Sequence, residues 1–202
     1  HLVILTGMER IYFDNAATTP IDADVLEAML PFFKEQFGNP SSIYSYGRET
    51  RMAIEKARKS IAAILGAKPA EIFFTSGGTE STNTVLHAAV TDLGCKHIIS
   101  SPIEHHATLH TVEYLAKVHH VKLSYVGILP NGHIDINQLE ELLNNSSEKT
   151  IVTIMHANNE IGNCINLNEV GALCKKHSAY FHSDTVQTVG HFNFDLKNIP
   201  VD

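Results

Sequence analysis

The chain has 202 residues and a formal charge of −7, with 44% hydrophobic and 18% charged residues, twelve glycines and seven prolines. These values exclude collagen-like, disordered and coiled-coil classes, and a chain this long buries roughly 70% of its unfolded surface, enough for a real core. The acidic balance argues against nucleic-acid binding, and no apolar run reaches the roughly 18 residues that a membrane span needs. Cys95, Cys164 and Cys174 form no CxxC pair, so neither a disulfide framework nor a zinc ribbon is expected, and the cytoplasm is the expected location.

Residues 1–7 lack a basic n-region and read as vector-derived or mis-started residues ahead of Met8. Residues 8–47 hold Pro20, Pro31 and Pro40 and read as an N-terminal arm with one helix, Asp24–Phe37, interrupted or kinked at Pro31. Residues 48–202 read as one large domain. Strands are expected at Ile11–Phe13, Glu71–Thr75, His97–Ser100, Val121–Val126, Thr150–Met155 and Ala179–Ser183. Helices are expected at Arg48–Leu65, Thr79–Val90, His106–Val118, Ile136–Leu143 and Leu167–His177, the first ended by Gly66. Such alternation predicts an α/β fold with a mostly parallel sheet sandwiched by helices.

Four segments carry candidate chemistry. Ile72–Thr75 runs into Ser76-Gly-Gly-Thr-Glu80 and then a helix, which makes an anion site from glycine backbone, helix N–H groups and the Thr79 hydroxyl. The same residues also fit a plain strand-to-helix turn capped by Thr79. Tyr180–Asp184 ends a strand in a carboxylate, with Gln187 close behind. Asp184 there holds a heteroaromatic nitrogen protonated, or simply caps a following helix. His105 follows another strand end and either stacks on a planar cofactor and shuttles a proton, or serves as a loop or capping residue. His106 and His110 have the i, i+4 spacing of a metal pair, but no third ligand is evident and no metal is expected. His156–Gly162 places two amides and an acid at a fourth strand end, where loop formation is the simpler reading.

The order and wording of these pieces resemble the cysteine desulfurases, in the class V aminotransferase group of fold-type I pyridoxal-phosphate enzymes. The resemblance rests on Tyr12-Phe-Asp-Asn-Ala-Ala-Thr-Thr-Pro20, Phe37-Gly-Asn-Pro-Ser-Ser42, Phe74-Thr-Ser-Gly-Gly-Thr-Glu-Ser81, Glu104-His105, Met155-His-Ala-Asn-Asn-Glu-Ile-Gly162 and His182-Ser-Asp-Thr-Val-Gln-Thr-Val-Gly190. It implies that residues 48–202 are the large cofactor domain and that the cofactor is pyridoxal 5'-phosphate. Gly78 and Thr79 would hold its phosphate, and His105 would stack on the ring and take part in proton transfer. Asn159 would contact the ring near its oxygen, Asp184 would pair with the ring nitrogen, and Gln187 would donate to the phenolic oxygen. Asn15 to Thr18 would line the substrate end of the cleft.

By the same resemblance, the parent enzyme converts L-cysteine to L-alanine and passes sulfur to an enzyme cysteine, supplying an Fe–S scaffold or another sulfur acceptor, as a homodimer. The Schiff-base lysine, the persulfide cysteine and the substrate-binding arginine are expected beyond Asp202, so this chain alone is expected to be inactive. The alternatives are a selenocysteine lyase, a class V aminotransferase-like enzyme acting on another amino acid, and a non-catalytic fragment acting as a scaffold or dimerisation module.

Overall fold

The computed structural model describes residues 11–202; the proposed extra residues 1–7 lie outside the described residues. Four short strands form one all-parallel sheet: β1 (His97–Ser100), β2 (Lys122–Tyr125), β3 (Thr150–Thr153) and β4 (Tyr180–His182), in the order β2-β1-β3-β4. Each connection carries helix. α3 (Gly78–Thr91) precedes β1, and α4 (His106–His119), α5 (Ile136–Asn144) and α6 (Leu167–Lys176) lie between successive strands. This is the expected α/β architecture.

Period-two alternation divides the apolar residues between the two faces of the sheet. Ile98 and Ile151 pack with Leu86, Ala89, Val112 and Leu115 of α3 and α4. Their neighbours Ile99 and Val152 pack on the other face with Leu139 and Leu143 of α5, Val170 and Cys174 of α6, and Phe181. Both faces are therefore covered, as a parallel sheet requires. His97 at the start of β1 is fully buried, with Nδ1 on the Ser146 hydroxyl and Nε2 on the Ser124 hydroxyl.

The chain leaves β1 for β2 on one side, then returns to place β3 on the other. That reversal puts a topological switch point at the carboxyl ends of β1 and β3, where open α/β sheets leave a crevice. Beyond β3 and β4 the ladder continues irregularly: Ile154 N–H donates to His182 O at 3.2 Å and His156 N–H to Asp184 O at 2.9 Å.

Two expected strands are absent. Ile11–Phe13 is irregular, and Glu71–Thr75 is a 3₁₀ turn (Pro69–Glu71) followed by extended chain without a ladder. Phe73 is 80% exposed, so the β-forming run Ile-Phe-Phe has no neighbouring strand to pair with among the described residues. Arg58 takes that place: its guanidinium bonds the Ile72 carbonyl and lies 4.9 Å from the Phe74 ring centroid.

The helix in the arm, α1 (Ala23–Lys34), carries Pro31 inside it; the Asp22 side chain caps its start, accepting from Asp24 N–H at 2.9 Å. α2 (Ser45–Leu65) starts three residues earlier than expected and stops at Gly66, whose φ of +70° supplies the left-handed turn. Its apolar face is mostly open, with only Gly47 and Ala62 buried. Among the described residues, no helix is long and apolar enough to cross a membrane.

Candidate functional site

A cavity of about 440 Å³ opens at the switch point. Five chain segments line it: Ala16 and Ala17 from the arm, Gly78 and Thr79 from the start of α3, and His105 and Ala107 from the start of α4. Met155 and Asn159 come from beyond β3, and Asp184, Val186 and Gln187 from beyond β4. All six residues singled out in the sequence, Gly78, Thr79, His105, Asn159, Asp184 and Gln187, therefore meet in one cleft.

At one end, the helix-capping role considered for Thr79 does not occur. α3 begins at Gly78 with Gly77 as its N-cap, and no side chain among the described residues caps it. The first-turn N–H groups thus have no capping acceptor, which suits an anion. A Cβ at Gly78 would stand 2.7 Å from Val186 Cγ2, so a side chain there would push Val186 aside at the cleft wall. The Ser76–Gly77 turn is held by Glu80, whose carboxylate accepts from Ser76 N–H at 2.6 Å, and by the Thr75–Ser81 hydroxyl pair at 2.7 Å.

At the other end, Asp184 Oδ1 accepts from Val186 N–H at 2.9 Å, a local turn rather than a helix cap. Its Oδ2 has no hydrogen-bond partner among the described residues. Gln187 uses Nε2 on the Ala16 carbonyl at 3.0 Å, leaving its second amide hydrogen and Oε1 for a ligand. Asn159 donates from Nδ2 to Glu160 at 2.9 Å and keeps its carbonyl oxygen free of protein donors among the described residues.

His105 does cap a helix: its Nδ1 accepts from Ala107 N–H at 3.1 Å. Capping and facing the cleft are compatible, because accepting at Nδ1 puts the neutral ring's proton on Nε2. The capping bond thus fixes the tautomer and leaves one donor.

Two groups behind the lining carry perturbed chemistry that the sequence reading gave no role. Burial pushes the Glu104 carboxyl up to about 7; hydrogen bonds from Ser101 and Met155 oppose the rise, and the charge of Asp184 adds to it. Burial also pulls His182 down to about 4, against the opposing attraction of Asp184. His182 ends β4 two residues before Asp184, and that short separation is the signal that links them. His106 and His110 have ring centroids 5.4 Å apart, and no group of three His, Cys, Asp or Glu residues able to share a metal ion occurs among the described residues.

Comparison with known proteins adds identity to this geometry. The family model described as aminotransferase class-V matches residues 11–202. The "Putative cysteine desulfurase IscS 1" of Bacillus subtilis (strain 168) is 47% identical over 198 residues, 96% of this chain and 51% of that protein. The "Cysteine desulfurase IscS" of Methanosarcina thermophila is 43% identical over 98% of this chain and 49% of its own length. Among solved structures, a "NIFS-LIKE PROTEIN" superposes with a TM-score of 0.91 at 40% identity, covering 96% of this chain and 53% of that one. "SspA in complex with cysteine" gives a TM-score of 0.88 at 34% identity, over 95% of this chain and 55% of that one. The chain spans about half the length of these relatives. A sheet, a cleft and a family model that agree over nearly the whole chain leave one assignment: the chain belongs to the aminotransferase class-V family, with cysteine desulfurases as its relatives.

Proposed function

We propose that the cleft binds pyridoxal 5'-phosphate and that the whole protein is a cysteine desulfurase, converting L-cysteine to L-alanine. The observation that carries this reading is the convergence of six polar or backbone ligands, from four strand or loop ends, on one cavity of about 440 Å³. The residues fit the cofactor's shape and charge: among the described residues, a helix start without a side-chain cap at one end, a carboxylate oxygen without a partner at the other, and a fixed imidazole tautomer. Gly78 and Thr79 take the phosphate, and Asp184 takes the ring nitrogen with a charge-assisted bond. His105 packs on the ring and holds its proton at Nε2, while Gln187 and Asn159 reach the phenolic oxygen from the rim. The bound cofactor would supply an electron sink for bonds to the substrate's α-carbon.

On this reading, the sulfur passes to an enzyme cysteine and on to an acceptor such as an Fe–S scaffold protein, and the protein works as a cytoplasmic homodimer. A relative solved with cysteine supports the substrate, and relatives named IscS support the sulfur-supply role. The chain-level test is calorimetric binding of pyridoxamine 5'-phosphate, which needs no lysine to be retained. We expect saturable binding that inorganic phosphate weakens and that Asp184→Asn weakens by about 10- to 100-fold, the worth of one charged hydrogen bond. Binding indifferent to Asp184→Asn sinks the assignment of the ring end. For the whole protein, alanine production from L-cysteine tests the activity, and a strong preference for selenocysteine would favour the lyase.

A further inference from the structure

Of the adjacent amides Asn158 and Asn159, the second lines the cleft and the first is buried, 7% exposed. Asn158 Oδ1 accepts from Glu160 N–H at 2.8 Å and from Ile161 N–H at 3.0 Å, which closes the turn that carries Asn159. Its Nδ2 donates to the Ile103 carbonyl at 2.6 Å, 55 positions away and two residues before His105, and lies 3.5 Å from Met155 Sδ. Oxygen towards two N–H groups and nitrogen towards a carbonyl is the one amide orientation that satisfies all three partners.

A second bond joins the same two loops. The Glu104 carboxylate, 5% exposed, accepts from Met155 N–H at 2.9 Å with one oxygen and 3.1 Å with the other. The Ser101 hydroxyl, donating at 2.5 Å, ties that carboxylate to its own loop. The loop after β1 thus offers two neighbouring acceptors, at Ile103 and Glu104. The loop after β3 fills both, from Met155 and Asn158. His105 follows the acceptors directly, and Asn159 follows the second donor directly. Two buried bonds therefore clasp the segments that bring these two residues to opposite parts of the cleft lining.

We propose that Asn158, with Glu104 as its counterpart, is a positioning residue that fixes the span between His105 and Asn159 and so the orientation of a flat aromatic ring held between them. The inference rests on the pyridoxal-type reading of the cleft. A local turn accounts for the Oδ1 contacts of Asn158, and an aspartate would make them equally well. It does not account for the Nδ2 bond, which leaves the turn and crosses to another strand end. That pair of tasks needs an acceptor and a donor on one short side chain, which asparagine has and aspartate lacks. The capping bond of His105 to Ala107 N–H sets its tautomer, whereas the clasp sets how far its loop stands from Asn159.

The test uses Asn158→Asp and Asn158→Ser, one charged and one neutral; both keep an oxygen for the turn and lose the donor to Ile103. Calorimetric titration of the chain with pyridoxamine 5'-phosphate should show affinity about 5- to 10-fold below wild type in each. The circular dichroism that the bound ligand acquires in its own absorption band should also change at saturation, because that signal follows ring orientation. Glu104→Gln, which weakens the second bond, should move both readouts the same way. Wild-type affinity and dichroism in the folded variants overturn the proposal. Weaker binding with wild-type dichroism at saturation, beside a lowered urea midpoint, shows a merely structural role and overturns it too. If neither Asn158 variant folds, Glu104→Gln decides by the same two readouts. Wild-type binding with unaltered variants spares the cofactor reading, whereas no binding by the wild type removes both.

Discussion

Gln187 and Ala16 are 171 positions apart in the chain, yet the amide of one donates to the carbonyl of the other at 3.0 Å. That bond ties the arm to the rim of the cleft. Ala17 and Thr18 continue into a turn on Asp14, with N–H···O distances of 3.2 and 3.4 Å.

Replacing Gln187 by Glu removes the donor and turns a carboxylate towards the carbonyl. One neutral hydrogen bond contributes about 1 kcal/mol, which corresponds to about fivefold in an opening equilibrium. Amide exchange at Ala17 and Thr18 should accelerate by about that factor while β1 and β3 keep their protection. Unchanged exchange at Ala17 and Thr18 means the arm is held by other contacts.

Phe181 is the bulky centre of β4 and is 1% exposed, whereas Phe73 stands almost free. Phe181→Ala should destabilise the fold by about 3–5 kcal/mol through lost burial and a residual cavity. Phe73→Ala should change stability by less than about 0.5 kcal/mol. Urea midpoints decide the matter; a large loss at Phe73 would restore the strand expected over Glu71–Thr75.

Acid should weaken the fold through its buried imidazoles. Burial pulls His97 and His182 down to about 4, from an ordinary value of 6.5. The unfolded chain then binds more protons than the folded one between pH 6.5 and 4, so their contribution is complete above 6.5 and is lost as pH falls to 4. Each is worth about 1–3 kcal/mol. Glu104 has the opposite sign: raised to about 7, it favours the fold most below its unfolded value near 4.5 and contributes less as pH climbs through 7. Urea unfolding at pH 7, 6 and 5 should show falling stability, and His97→Gln should flatten the slope. An equally steep slope in His97→Gln would exclude His97 as a source.

The three cysteines should separate in a thiol titration. Cys174 is buried and its thiol is pushed up to about 12 by burial, with the charge of Asp202 adding to the rise; Cys95 is buried and raised as well. Cys164 is exposed. A chromogenic disulfide reagent at pH 8 should modify one thiol quickly and the other two only in denaturant. Rapid reaction of all three would mean that the two core clusters open readily.

Much of this was legible in the sequence, for physical reasons. Consecutive β-branched apolar residues at His97–Ser100 and Thr150–Thr153 mark strands covered on both faces, and the Gly66 stop follows from the left-handed conformation that glycine adopts cheaply. The Ile-Phe-Phe run misled because β-propensity describes a side chain's fit to a pleated surface, and here no neighbouring strand among the described residues provides one. Among site residues, Asp184 and His105 were visible because they follow strands at their carboxyl ends. Glu104 stood in plain view beside His105 but carried no readable role, since its partners, Ser101 and the Met155 N–H, are set by tertiary pairing across 51 positions in the second case.

The bond between Gln187 and Ala16 also fixes an order of events during synthesis. Residue 16 leaves the ribosome 171 residues ahead of its partner, which at 5–20 residues per second is a wait of about 10–30 s. Until the last loop of the sheet has formed, the carbonyl of Ala16 lacks this donor, so the arm takes its folded place late.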